Sequence, residues 1–393
     1  MTPLPTPCAR TAVSDLPASQ VRELANAGFG RGDVERFWFG EGHLPTPAFI
    51  RAAAIAALEA GDTFYEHNNG RAALRRAIAT YLQARHVRHF EPDRVTVCSS
   101  GVSALALAMQ AVLDPGDRAV VVTPVWPNLT GIPALLGAQV VRAPLTPADG
   151  RWRLDLDRLL ETATPETRLL VINSPNNPTG WMLPEEDRAP ILEHCRRHGI
   201  WLLVDDVYER LVFDPALDTA PSFLALAEPE DRLLGANSFS KTWSMTGWRL
   251  GWLVAPPQLE VDLGKLVELS TSCAPGFVQA AGIAALERGE PDVQELRHAL
   301  TARRNELLPE LRRLPGVEAP TPQGAMYAFF RLAGHPDSVE LARRLAAEAG
   351  LGLAPGAAFG PEGEGWLRWC LAAAPERLSS GLGRLARWLE THG

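Results

Sequence analysis

Of the 38 lysine and arginine residues in this chain of 393, two are lysines, Lys241 and Lys265. Arginine serves on almost any solvated surface, but its guanidinium stays protonated and delocalised and forms no Schiff base with a carbonyl. A lysine kept against that bias is a candidate for chemistry. Lys241 lies in Ser238-Phe239-Ser240-Lys241-Thr242-Trp243, behind the apolar run Leu233-Leu234-Gly235-Ala236-Asn237 and eight residues before Arg249. Lys265 sits in Leu263-Gly264-Lys265-Leu266-Val267-Glu268, a helical pattern with no reactive neighbour, and reads as a solvated helix position.

The elements around Lys241 repeat one arrangement. Residues 95–98, 168–173, 200–204 and 233–237 are short aliphatic or β-branched runs, the signature of strands. Each feeds a polar segment: Ser99-Ser100-Gly101-Val102-Ser103, Ser174-Pro175-Asn176-Asn177-Pro178-Thr179-Gly180, Asp205-Asp206-Val207-Tyr208, and the lysine stretch itself. In a mostly parallel open sheet the carboxyl ends share one edge, where crevices for small molecules form. Ser100, Asn177, Asp205 and Lys241 are therefore expected to converge.

Between these runs the pattern predicts helices over 48–59, 72–85 and 104–113, the last closed by Asp114-Pro115-Gly116-Asp117. The small-residue loop before 104 offers unpaired N–H groups and a positive dipole end, which suits a phosphate. A further strand over 119–123 leads into Pro124-Val125-Trp126. After the lysine stretch, 248–254 reads as one more strand, and 278–314 as helix interrupted near Gly289 to Pro291. The class is α/β. Residues 1–45 are assigned to an N-terminal arm and part of a smaller domain, 46–288 to a large domain and 289–393 to the smaller one. The first 15 residues, rich in proline, form the arm, and 19–26 form a short amphipathic helix.

Ser238-x-Ser240-Lys241-x-Trp243-x-x-x-Gly247-x-Arg249-x-Gly251 resembles the lysine segment of the class I/II aminotransferases, enzymes of fold type I that use pyridoxal 5′-phosphate (PLP). The resemblance runs from about residue 20 to residue 372. It implies a large domain with a mostly parallel mixed sheet flanked by helices, plus a smaller α+β domain. It also implies that Lys241 holds PLP as an internal aldimine and, once freed, is the general base. Asp205 would sit at the pyridine nitrogen, Asp206 being the alternative by one position, and Asn177 and Tyr208 at the ring oxygen. Trp126 would stack on the ring. Ser100, Gly101 and Val102 stand where the family has its phosphate-cradling Ser-Gly-Thr, with valine in place of the hydroxyl residue, and Ser238 and Arg249 match the other phosphate ligands.

Three further matches concern substrate and partner. Gly40 matches a glycine that lets backbone approach the substrate carboxylate, although Gly42 and His43 depart from the family's usual Pro-Asp. Arg368, after Pro355-Gly356-Ala357-Ala358-Phe359-Gly360, matches the arginine that binds the α-carboxylate. Tyr65, five residues before Gly70, matches a tyrosine that reaches the cofactor phosphate of the other subunit, so a homodimer with shared sites is implied. The resemblance thus points to transfer of an amino group from an L-amino acid to a 2-oxo acid. The same residues would also serve a PLP-dependent carbon–sulfur β-lyase, and a non-catalytic PLP-binding regulator is the remote alternative. Arg71 is the nearest candidate for a second carboxylate clamp.

Composition narrows the partners. A net charge of −8 and no basic run interleaved with aromatics argue against nucleic acid. Residues 1–7 lack a charged segment followed by an apolar one, and no apolar run is long enough to span a membrane, so the cytoplasm is the expected compartment. Five scattered cysteines read as reduced thiols. No metal site is expected, with His194 and His198 read as part of a solvated helix face.

Overall fold

The computed structural model describes residues 8–27 and 32–392. The first seven residues of the expected arm lie outside that range; within the rest of it, Thr11–Ser14 make a single helical turn.

Seven strands form the main sheet: β1 (Val95–Cys98), β2 (Arg118–Thr123), β3 (Gln139–Pro144), β4 (Thr167–Asn173), β5 (Trp201–Asp205), β6 (Leu233–Ser238) and β7 (Gly251–Val254). They lie in the order β1-β7-β6-β5-β4-β2-β3, with β7 antiparallel to both neighbours and the others parallel to one another. Successive side chains of a strand point to opposite faces. Val120, Val122, Leu170, Ile172, Leu202 and Val204 accordingly join one core cluster. Ala119, Val121, Leu169, Val171 and Leu203 join another, on the opposite face. Both faces need cover, which is why these strands read as continuous apolar runs and not as alternating ones. Helices Ala72–His86 and Gly276–Arg288 cover the first face. Helices Gly101–Val112 and Glu260–Ser270 cover the second.

A smaller antiparallel sheet is built from Val317–Glu318, β8 (Tyr327–Leu332), β9 (Trp366–Cys370) and Ala354–Pro355, in that spatial order. Helices Ser338–Glu348 and Pro375–His392 pack on it around a third apolar cluster. The 24-residue helix Glu290–Arg313 connects the two parts. Glu35–Arg36 pairs in parallel with Leu351–Gly352, so the N-terminal segment joins the smaller sheet's side.

Two expected elements are displaced, and both displacements matter to the site. The helix placed at 104–113 begins at Gly101, because the Ser100 side chain caps it by accepting from the Ser103 amide at 3.0 Å. Gly101 and Val102 therefore belong to its first turn and not to a loop. The strand placed at 248–254 begins only at Gly251. Thr246–Trp248 make a 3₁₀ turn, and Arg249 follows in the left-handed region with φ 54°. That turn brings Gly251 so close to the Ser100–Gly101 backbone that a Cβ there would lie 2.7 Å from the Gly101 nitrogen. His194 and His198 also differ from expectation. Both are half-buried, and His194 Nε2 lies 2.7 Å from the Ala163 carbonyl. Among the described residues no group of three His, Cys, Asp or Glu side chains has the disposition of a metal site, and no helix is long and apolar enough to cross a membrane.

Candidate active site

Lys241 is the third residue of a four-residue helical turn, Phe239–Thr242, that starts directly after β6. The Ser238 side chain caps this turn, so the short sequence Ser-Phe-Ser-Lys is enough to aim the lysine off the sheet edge. Its Nζ donates to the Gly40 carbonyl. Burial pushes the ammonium down to about 8; Cys370 and Glu41 oppose the shift, and the positive charges of Arg368 and Arg249 add to it.

The neighbouring strand ends supply the rest of this wall. Asp205 closes β5 with its side chain buried, and lack of solvation pushes the carboxyl up to about 7 even though Val207 N–H donates to it at 3.3 Å and Lys241 lies near. Asp206 turns away: it accepts from the Ser222 hydroxyl at 2.8 Å and faces Glu209. The loop after β4 is tied down when the Asn177 amide donates to Asn173 Oδ1 at 2.8 Å and Asn176 binds the Pro124 carbonyl at 3.3 Å. Trp126, half-buried, follows Val125, whose N–H donates to the Phe359 carbonyl at 3.0 Å.

The facing wall comes from the smaller sheet. Arg368 lies in the middle of β9, 4% exposed, with its guanidinium carbon 4.4 Å above the Tyr327 ring and 4.8 Å from the centre of the Phe359 ring. Nη1 donates to Asn177 Oδ1 at 2.8 Å and Nη2 to the Trp38 carbonyl, while Nε is buried without a partner. A buried cation with an unmet donor is costly to the fold unless an anion completes it. Glycine at position 40 has a definite reason: a Cβ there would run into the Tyr327 hydroxyl.

Ser238 Oγ lies 2.9 Å from Ser240 Oγ, and its Cβ lies 2.9 Å from where a Gly101 side chain would start. Arg249 Nη1 donates to the Thr246 carbonyl at 2.7 Å and borders a cavity of about 770 Å³ shared with Ser99, Trp248 and Cys273. Tyr65 is not brought to this chain's own site and is 89% exposed. Arg71 gives its guanidinium to Asp62, at 2.8 Å, and to Glu66. Sequence reasoning missed Tyr327, whose hydroxyl is 2.7 Å from that of Tyr208, and also Cys370, whose charge would bear on Lys241. The available signal was scarcity again, since the chain has four tyrosines.

These residues fit PLP. The helix start leaves the N–H groups of Gly101 and Val102 without intrahelical acceptors, beside the Ser238 hydroxyl and Gly251, a cradle in which any Cβ at 101 or 251 would collide. The buried Asp205 carboxyl suits a protonated ring nitrogen, because an adjacent cation would restore its charge. The unmet Arg368 Nε suits a substrate carboxylate.

Comparison with known proteins agrees. The chain matches the family model described as aminotransferase class I and II over residues 35–384. It is 34% identical to a probable aspartate/prephenate aminotransferase of Aquifex aeolicus, over 91% of each chain. It is 33% identical to an arginine–pyruvate transaminase of Pseudomonas aeruginosa, over 88% of each. The crystal structure of Thermotoga maritima aspartate aminotransferase superposes with a TM-score of 0.90 at 31% identity, covering 97% of this chain and 100% of that one. The names of these relatives favour transamination over the lyase and regulator alternatives. The chain belongs to the class I and II aminotransferases, PLP-dependent enzymes of fold type I that move an amino group from an L-amino acid to a 2-oxo acid.

Proposed function

We propose that Lys241 is the catalytic amine of this aminotransferase and that Arg368 is its carboxylate clamp. The observation that carries the reading is the buried Lys241 amine on the Gly40 carbonyl, lowered to about 8 by burial, with the positive charge of a buried guanidinium that keeps an unmet donor, Arg368, adding to the shift. When bound, PLP supplies a carbonyl for amine exchange and a cationic ring that accepts the electron pair released at the substrate's Cα. With the cofactor bound, Asp205 would hold the proton on the ring nitrogen, Asn177 and Tyr208 would serve its ring oxygen, and Trp126 would be its stacking partner. The Gly101 and Val102 amides, with Ser100, Ser238 and Arg249, would hold its phosphate. Arg368 orients the amino acid through its carboxylate with Asn177 and the Gly40 backbone at its side. Lys241 Nζ, neutral above about pH 8, takes the proton from the substrate's Cα.

The enzyme is read as a cytoplasmic homodimer whose large domain spans 46–288, with 1–45 and 289–393 making the arm and smaller domain. Support for the dimer comes from one exposed patch: Phe64 is 83% exposed and Tyr65 89%. This segment adjoins the Arg249 cavity, since the Glu66 amide donates to Cys273 Sγ at 3.3 Å and Cys273 lines that cavity. With a two-fold axis close by, Tyr65 of the partner subunit would reach the phosphate end of each site.

The test is a spectrum of the protein with PLP, followed by single amino acids without any oxo acid. Loss of the visible band with accumulation of pyridoxamine phosphate is expected, and the effective amino acids name the donor. A band that persists while ammonia and pyruvate accumulate would sink the reading.

A further inference from the structure

We propose that Tyr327 is a positioning residue that couples the two ends of the site, fixing the Tyr208 hydroxyl as a donor at one end and forming the platform beneath the Arg368 guanidinium at the other. Tyr327 is the first residue of β8, 1% exposed, and pairs with Cys370 across the sheet, two residues from Arg368. Three contacts radiate from it. Its hydroxyl lies 2.7 Å from that of Tyr208, with the rings edge to face at 5.8 Å. Its ring lies 4.4 Å below the Arg368 guanidinium carbon. Its hydroxyl also occupies the space that a side chain at position 40 would need, which holds the Gly40 backbone where its carbonyl accepts from Lys241.

The direction of the hydroxyl pair follows from proton counting, and it rests on the reading of Tyr208 given above. Each tyrosine has one hydroxyl proton. If Tyr208 gives its proton to the cofactor's ring oxygen, the bond between the tyrosines must run from Tyr327 to Tyr208. A donor that is itself hydrogen-bonded at its oxygen is polarised and donates more strongly. The platform acts separately: a guanidinium over an aromatic face is held both electrostatically and by packing, so Arg368 presents its unmet Nε in one orientation.

The experiment uses the holoenzyme and four variants, Tyr327→Phe, Tyr327→Leu, Tyr208→Phe and the Tyr208→Phe/Tyr327→Phe pair. A hydrogen-bond donor at the ring oxygen favours the cofactor form that has lost its proton. Tyr327→Phe is therefore expected to raise the pH midpoint of the visible band by about half a unit and to leave the KM for the amino donor within about twofold. Tyr327→Leu is expected to shift the midpoint equally and to raise KM by about tenfold, because the platform is gone. The double variant is expected to have the midpoint of Tyr208→Phe alone, since removing Tyr208 removes the route by which Tyr327 acts.

An unmoved midpoint in Tyr327→Phe, with or without a lower melting temperature, overturns the coupling at the Tyr208 end. Equal KM values for Tyr327→Phe and Tyr327→Leu overturn the platform. A midpoint that does not move in Tyr208→Phe overturns the underlying assignment of Tyr208, which is distinguishable because that variant retains Tyr327.

Discussion

Asn177, Asp205 and Lys241 stand just past or at the ends of β4, β5 and β6, where the chain leaves the sheet and backbone caps and turns aim each side chain. Arg368 and Tyr327 are on the other side of the site and stand within strands, held by stacking and by contacts to residues far away in sequence. The first wall is a set of separately anchored groups. The second is one packed unit in which the arginine, the tyrosine and the Gly40 backbone share their positions. A substitution in the first wall should remove one chemical role and leave its neighbours standing, whereas a substitution in the second should move several at once.

The sharpest break in that contrast is Lys241→Arg. It preserves charge and abolishes amine exchange, so kcat should fall by about 10⁴-fold and the visible band should vanish, while the melting temperature stays near that of the parent. Absorption spectra and thermal melts check both halves. Next in size is Arg368→Leu, which strips the clamp and leaves Asn177 Oδ1 without its donor. A loss of about 3 kcal/mol, or roughly a hundredfold in kcat/KM for every amino acid, is expected with a smaller change in PLP affinity.

A third prediction probes the two walls through their shared field. Arg368 and Arg249 help to lower the Lys241 amine, whose value of about 8 means that it is neutral above that pH and protonated below it. Only the neutral amine adds to a carbonyl. The rate at which the apoprotein takes up PLP should therefore rise about tenfold per pH unit below 8 and level off above it, as followed by stopped-flow absorbance. A flat profile from pH 6 to 9 would contradict the assignment. The smallest expected effect is that of Lys265→Arg: its ammonium is 2.7 Å from Asp262 with both groups exposed, and stability and turnover should be unchanged within about 0.5 kcal/mol.

The same contrast explains what was legible in the sequence. Strand ends followed by Asn-Pro-Thr-Gly, Asp-Asp-Val-Tyr or Ser-Phe-Ser-Lys are local patterns, and β1, β4, β5 and β6 were placed to within a residue or so. Arg368 was legible through the Pro-Gly-Ala-Ala-Phe-Gly stretch that precedes it. Tyr327 was not, because its partner Tyr208 is 119 positions away and its neighbours look like ordinary strand residues. The early start of the helix at Gly101 was obscured because glycine and serine read as loop until the capping bond from Ser103 to Ser100 is seen. The late start of β7 was hidden for the opposite reason. Trp248, Arg249 and Leu250 have strand-like character, and only the left-handed turn at Arg249 reveals that they are not part of it.

The separation of the two lysines, one lining the site and one exposed on a helix, makes this chain its own reporter of occupancy. Borohydride reduction of the loaded enzyme converts the cofactor linkage into a stable secondary amine, and a protease specific for unmodified lysine then fails to cut there. Digestion of the unfolded chain would release peptide 242–265 from empty molecules and leave it joined to the segment before it in loaded ones. The ratio of those masses measures the fraction of sites charged with cofactor in any preparation, with no need for a label.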